Sequence, residues 1–89
     1  MKVDIVKNII LDNIDDARCG IYNMRNLVRD NMVTIYKEDG LQVDICYDWA
    51  YIEVFGLTEE EFDELKKWYC EIRYSIEVEE DKWINNFCL

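Results

Sequence analysis

The Asp39-Gly40 pair constrains this chain more than any other feature of its sequence. Asp-Gly between two alternating apolar runs is the strongest short hairpin signal, because the two-residue turn that matches strand twist needs positive φ at both central residues. Before it, Met32-Val33-Thr34-Ile35-Tyr36 is β-branched and alternating. After it, Leu41, Val43, Ile45 and Tyr47 alternate with Gln42, Asp44, Cys46 and Asp48, the pattern of a half-buried strand. Asp48-Trp49 reads as a second tight turn, and Ala50-Tyr51-Ile52-Glu53-Val54-Phe55 as a third strand with Ile52 and Val54 inward. Three strands with short connections make an antiparallel meander.

Helical spacing flanks the meander. In residues 2–11, Val3 and Ile5 alternate with charge as in a strand, while Val3, Val6 and Ile10 fit one helix face; the helix is favoured because the following segment continues a helical pattern. In residues 13–30, Ile14, Ala17, Ile21, Met24 and Val28 recur at spacings of 3 and 4, with Asn13 placed to cap and Asp15 and Asp16 suited to the positive helix N-terminus. The spacing therefore predicts a helix there, weakened by Gly20 at about 1 kcal/mol relative to alanine. Gly56 ends the strands. Thr58 and Glu61 then form a capping box, with Leu57 and Phe62 placed as its hydrophobic staple. Phe62, Leu65, Tyr69, Ile72 and Ile76 continue one stripe to about residue 76. Residues 77–89 read as a short helix or strand docked on the core. The expected architecture is α+β, in the order α-β-β-β-α: a two-layer domain of a three-stranded antiparallel meander packed on two or more helices.

With 89 residues, this is one domain with room for a modest core. Hydrophobic residues make up 51%, including eleven isoleucines and twelve aromatic residues, which argues against disorder. The longest uncharged run, residues 83–89, is far short of the roughly 18 residues a membrane span needs. Asp4 and Lys7 interrupt any apolar leader, so a cytoplasmic protein is expected, in the host cell if the chain is phage-encoded.

The residue inventory also removes chemistry. Without histidine, the commonest general base and the Ser-His and Cys-His pairs are lost. The three glycines stand too far apart for a phosphate-cradling loop. Cysteines 19, 46, 70 and 88 fit no zinc spacing and read as thiols in a reducing compartment. No enzyme, catalytic residue, metal or cofactor is expected. A weaker alternative makes Asp44, Asp48 and Glu53 hard-cation ligands.

Charge carries the functional signal. Residues 1–37 hold 6 basic and 5 acidic side chains, and residues 38–89 hold 4 basic and 15 acidic ones. The net charge of −10 therefore lies in the second part of the chain, at a density whose self-repulsion opposes compaction. Glu60, Asp63, Glu64 and Glu71 point away from the capped helix's apolar stripe, Glu59 lies at its flank, and Glu77, Glu79, Glu80 and Asp81 follow. At about 1.5 Å per residue the strip runs roughly 25–30 Å, on which carboxylates about 5–6 Å apart imitate a row of phosphates. The bland reading is a solvated helix face.

Asp44, Asp48, Tyr51, Glu53 and Phe55 form a second candidate on the outward sheet face, beside Trp49 in the turn. Acids interleaved with aromatics suit a protein interface, unless residues 77–89 fold over them. Arg18, Arg25 and Arg29 with Tyr22 make a basic row on the 13–30 helix. Against so acidic a chain that row suits intramolecular pairing or an acidic partner better than nucleic acid.

The stretches Tyr36-Lys37-Glu38-Asp39-Gly40-Leu41-Gln42-Val43-Asp44-Ile45-Cys46-Tyr47 and Glu53-Val54-Phe55-Gly56-Leu57-Thr58-Glu59-Glu60-Glu61-Phe62 resemble segments of small phage proteins of Firmicutes, whose AT-rich genomes favour this residue usage. In size and acidity the chain is similar to anti-CRISPR proteins and other phage anti-defence inhibitors, a group without a shared fold. The resemblance implies stoichiometric, non-enzymatic inhibition, often in the basic nucleic-acid groove of a Cas effector, and carries over no functional residue. The expected function is binding a host defence protein through its nucleic-acid cleft, with no direct nucleic-acid or membrane contact, as a monomer or homodimer. The alternative is a small acidic adaptor, homodimeric through the sheet or Trp49, without nucleic-acid mimicry.

Overall fold

The computed structural model describes residues 1–23 and 31–79, with side chains except at 77–79. Within them the order is α1 (Lys2–Asp12), a 3-10 turn (Ile14–Ala17), β1 (Gly20–Tyr22), β2 (Met32–Glu38), β3 (Leu41–Cys46), β4 (Tyr51–Phe55) and α2 (Glu59–Glu79). The architecture is α+β with two helices and a four-stranded mixed sheet in the order β1-β4-β3-β2.

The hairpin forms as its turn chemistry dictates. Asp39 and Gly40 have φ of 51° and 80°, and Glu38 pairs directly with Leu41 across them. Thr34 stands opposite Asp44 but Tyr36 stands opposite Val43, so Ile35 is an extra residue in β2. This bulge breaks the two-residue alternation and turns Tyr36 onto the core face, where it packs.

Leu41, Val43 and Ile45 of β3 join Ile52 and Val54 of β4 on that face. Val3, Val6 and Ile10 of α1 and Phe62, Leu65 and Tyr69 of α2 close over them. Each fully buried aliphatic side chain of this kind contributes about 1.5–3 kcal/mol.

Two expectations are corrected. The meander of β2, β3 and β4 is present, but the sheet has a fourth strand, and β1 runs parallel to β4, with Gly20, Ile21 and Tyr22 beside Tyr51, Ile52 and Glu53. The expected 13–30 helix is replaced, over its described part, by the 3-10 turn and β1; residues 24–30 lie outside the described residues. Gly20 sits at φ 131°, far from helical backbone. Ile21 reaches the core equally well from a strand beside Ile52. The carbonyls a continuing helix would use internally are taken by α2: Tyr69 Oη donates to Ala17 O, and Arg73 Nη1 to Ile14 O at 3.5 Å. Cys19 N then donates to Ala50 O at 2.8 Å, docking the turn on the end of β4.

Gly56 governs where α2 begins. Its φ is 100°, and a Cβ there would lie 2.1 Å from the Gly40 carbonyl oxygen. Lys2 Nζ donates to Gly56 O at 3.3 Å, tying α1 to the same corner.

Candidate functional site: an acidic helix face and an aromatic turn

The first turn of α2 is held by the capping box. Glu61 N donates to Thr58 Oγ1 at 3.1 Å, and Thr58 N donates to Glu61 Oε1 at 2.9 Å. The bond from the Thr58 backbone holds the Glu61 carboxyl below its ordinary value of 4.5, against a smaller opposing effect of burial and with help from the Thr58 hydroxyl and Lys2. Leu57 and Phe62 both pack on the core beside this cap. Glu59 and Glu60 stand in the same turn, where the helix dipole favours negative charge.

Beyond the cap α2 has two unlike faces. Phe62, Leu65, Tyr69 and Arg73 are buried, Arg73 to 2% exposure with its guanidinium on the Ile14 carbonyl. Glu59, Glu60, Asp63, Glu64 and Glu71 are exposed, with Lys66 and Lys67 among them. Lys67 stands four residues after Asp63, three after Glu64 and four before Glu71, so it is within reach of three carboxylates but can offset only one charge. From Glu59 to Glu71 the face spans about 18 Å, and to Glu79 about 30 Å. Glu77 and Glu79 lie on the helix backbone, while Glu80 and Asp81 are outside the described residues. Tyr74, 61% exposed and three residues beyond Glu71, lies in the same angular sector. The sequence reading missed it; plotting aromatics as well as acids on the helix wheel would have found it.

The outward sheet face differs from expectation. Asp44 and Glu53 are directly opposed on β3 and β4, as the alternation implies, but they are 2% and 1% exposed. Tyr51 is buried as well, and Phe55 is half-buried. The expectation that this face lies open to solvent is therefore corrected for Asp44, Tyr51 and Glu53. Alternation identifies a residue's face but not what covers that face. Residues 80–89, the bulk of the segment considered as a cover, lie outside the described residues. Asp44 is engaged from both sides: Thr34 Oγ1 donates to Oδ1 at 2.7 Å, and Gln42 Nε2 donates to Oδ1 and Oδ2 at 2.9 and 3.1 Å. Tyr22 meets Tyr51 edge-on, ring centroids 5.5 Å apart.

The turn after β3 remains open. Tyr47, Asp48 and Trp49 are all exposed, Trp49 to 68%. Asn31 Nδ2 donates to Asp48 Oδ2. The structure thus separates Asp48 and Trp49, on the surface, from Asp44, Tyr51 and Glu53, in the sheet. Among the described residues, no three cysteine, aspartate or glutamate side chains come together to hold a metal. Of the basic row, Arg18 lies in the turn before β1 and Tyr22 on β1, so no common helix carries them; Arg25 and Arg29 lie outside the described residues. No described helix is long and apolar enough to cross a membrane.

Comparison with protein-family models, with curated proteins and with solved structures finds no match to this chain.

Proposed function

We propose that this chain is a non-enzymatic inhibitor of the phage anti-CRISPR type, which binds a host nucleic-acid-binding defence protein and competes with DNA or RNA for its basic cleft. The observation that carries the reading is the outward face of α2, where Glu60, Asp63, Glu64 and Glu71 are exposed with Tyr74. The core has no use for these side chains, and their mutual repulsion opposes folding. Phosphates follow one another at about 3.4 Å along a DNA strand, so carboxylates about 5–6 Å apart on a straight helix imitate part of such a row. A basic cleft would steer the acidic face in and speed association, while the aromatics slow release.

The test is competition with DNA or guide RNA for a Cas effector at low and high salt. The expected result is displacement that weakens as salt rises and is lost when Glu60, Asp63, Glu64 and Glu71 are all changed to lysine. Displacement that survives the reversal would refute the electrostatic reading.

The second reading, a homodimeric adaptor, draws on the seven-residue β2, which among the described strands pairs only with β3. An edge strand can accept a strand from a second copy. A net charge of −10 on each copy opposes that association. Light scattering coupled to size-exclusion chromatography separates the two readings: a stable dimer without affinity for any nuclease supports the adaptor.

A further inference from the structure

We infer that the Tyr47-Asp48-Trp49 turn is a second contact point for the same partner and that it receives an arginine side chain of that partner. The inference rests on the acidic-face reading for the sign of the partner's charge, and on the turn itself for the choice of side chain.

The turn is exposed and held in place. It connects Cys46 to Tyr51, which pair across β3 and β4. Asn31 bonds to Asp48 Oδ2 from one side, and Cys19 N bonds to Ala50 O at 2.8 Å from the other. Asn31 and Ala50 have φ of 61° and 51°, a conformation that non-glycine residues adopt uncommonly and that concentrates at ligand clamps. On this restrained backbone Tyr47 and Trp49 flank Asp48 in sequence, and all three side chains are exposed. Rigid aromatic anchors lose little entropy on binding, and tryptophan and tyrosine dominate interface hot spots.

Residues 17–19 tie the turn to the buried side of α2, since Ala17 O accepts from Tyr69 and Cys19 N donates to Ala50 O.

The set of groups selects the occupant. A purely apolar pocket would bury Asp48 without a counter-charge, which is costly. An anionic ligand would meet a chain of charge −10. A guanidinium suits both kinds of group in the turn: it stacks flat on an indole or phenol face, is weakly hydrated, and bonds a carboxylate in its own plane. A lysine ammonium is more strongly hydrated and lacks the plane.

The test titrates the full chain with a nona-arginine peptide and, separately, a nona-lysine peptide of equal charge, following the indole N–H signals by NMR. The expected result is a shift of the Trp49 signal with nona-arginine, a smaller shift with nona-lysine, and a rise of about twofold to thirtyfold in the nona-arginine Kd in W49A. Trp49 is exposed, so the variant should melt with the native protein. A nona-arginine Kd unchanged in W49A, or equal weakening of both peptides, overturns the arginine contact and leaves the acidic face untouched. If instead Lys substitution at Glu60, Asp63, Glu64 and Glu71 changes neither affinity, the acidic-face reading fails.

Discussion

Gly56→Ala adds one carbon to the closest backbone approach described at a glycine. Its Cβ would meet Gly40 O at 2.1 Å, Gly40 C at 2.9 Å and Leu41 Cα at 3.0 Å, all backbone atoms that cannot rotate away. The φ of 100° adds strain of about 1–3 kcal/mol for a side chain. Forcing the hairpin and the start of α2 apart adds about 1–3 kcal/mol more. The stiffer unfolded chain returns only about 0.4–1 kcal/mol. The net loss is therefore roughly 1–5.5 kcal/mol, against about 3–5 kcal/mol for a domain of this size. Gly40→Ala is the control: its φ is 80°, but the nearest atom is the flexible Lys2 Nζ at 3.9 Å, so it loses about 1–2 kcal/mol from backbone strain alone. Urea unfolding of both variants and the native protein, followed by circular dichroism, measures the difference. If the two substitutions cost the same within about 0.5 kcal/mol, the contact between Gly56 and the hairpin is not what positions α2.

Three further outcomes follow from local geometry. The Glu61 carboxyl is held below its ordinary value in the folded chain, so its contribution to stability is present above 4.5 and is lost as pH falls through the folded-state value. Urea midpoints of Glu61→Gln should consequently fall less steeply than those of the native protein below that pH, and parallel curves would contradict the assignment. Partial burial, with the Glu38 carboxylate beside it, raises the Tyr36 phenol above its ordinary 10.0, and ultraviolet titration should show the group moving back toward 10.0 in Glu38→Gln. Ala50→Gly should raise stability by about 0.5–1 kcal/mol, because relief of a left-handed alanine exceeds the added chain entropy. A loss of stability measured by thermal melting would mean that the alanine methyl packs usefully.

The two hairpins and α2 were readable because each carries a local chemical reason. Asp39-Gly40 supplies the turn, alternation supplies the strand faces, and Thr58 with Glu61 supplies the cap. The 13–30 segment was misread because Ile14, Ala17 and Ile21 suit a helical stripe and a turn followed by a strand equally well. The tie is broken by Tyr69 and Arg73, more than fifty residues away, which take the carbonyls of Ala17 and Ile14. A three-residue strand such as β1 is too short to show alternation at all. On the candidate site, periodicity put Glu60, Asp63, Glu64 and Glu71 on the side of α2 away from its apolar stripe, and those side chains are exposed. It could not distinguish Asp48 and Trp49, which remain on the surface, from Asp44, Tyr51 and Glu53, which do not, because burial on a sheet's second face depends on what lies over it.

The extra residue at Ile35 has a consequence for how this chain behaves at high concentration. β2 is a β-branched edge segment, the kind of strand that templates aggregation when it is long and flat. The bulge kinks it midway, so no more than three residues on either side keep a regular ladder, and Lys37 and Glu38 place opposite charges at its end. Copies of the chain therefore meet at an irregular edge, and a net charge of −10 on each opposes the meeting. Near the isoelectric point of about 4.3 that repulsion vanishes, which leaves the kink at Ile35 to oppose fibre-like association.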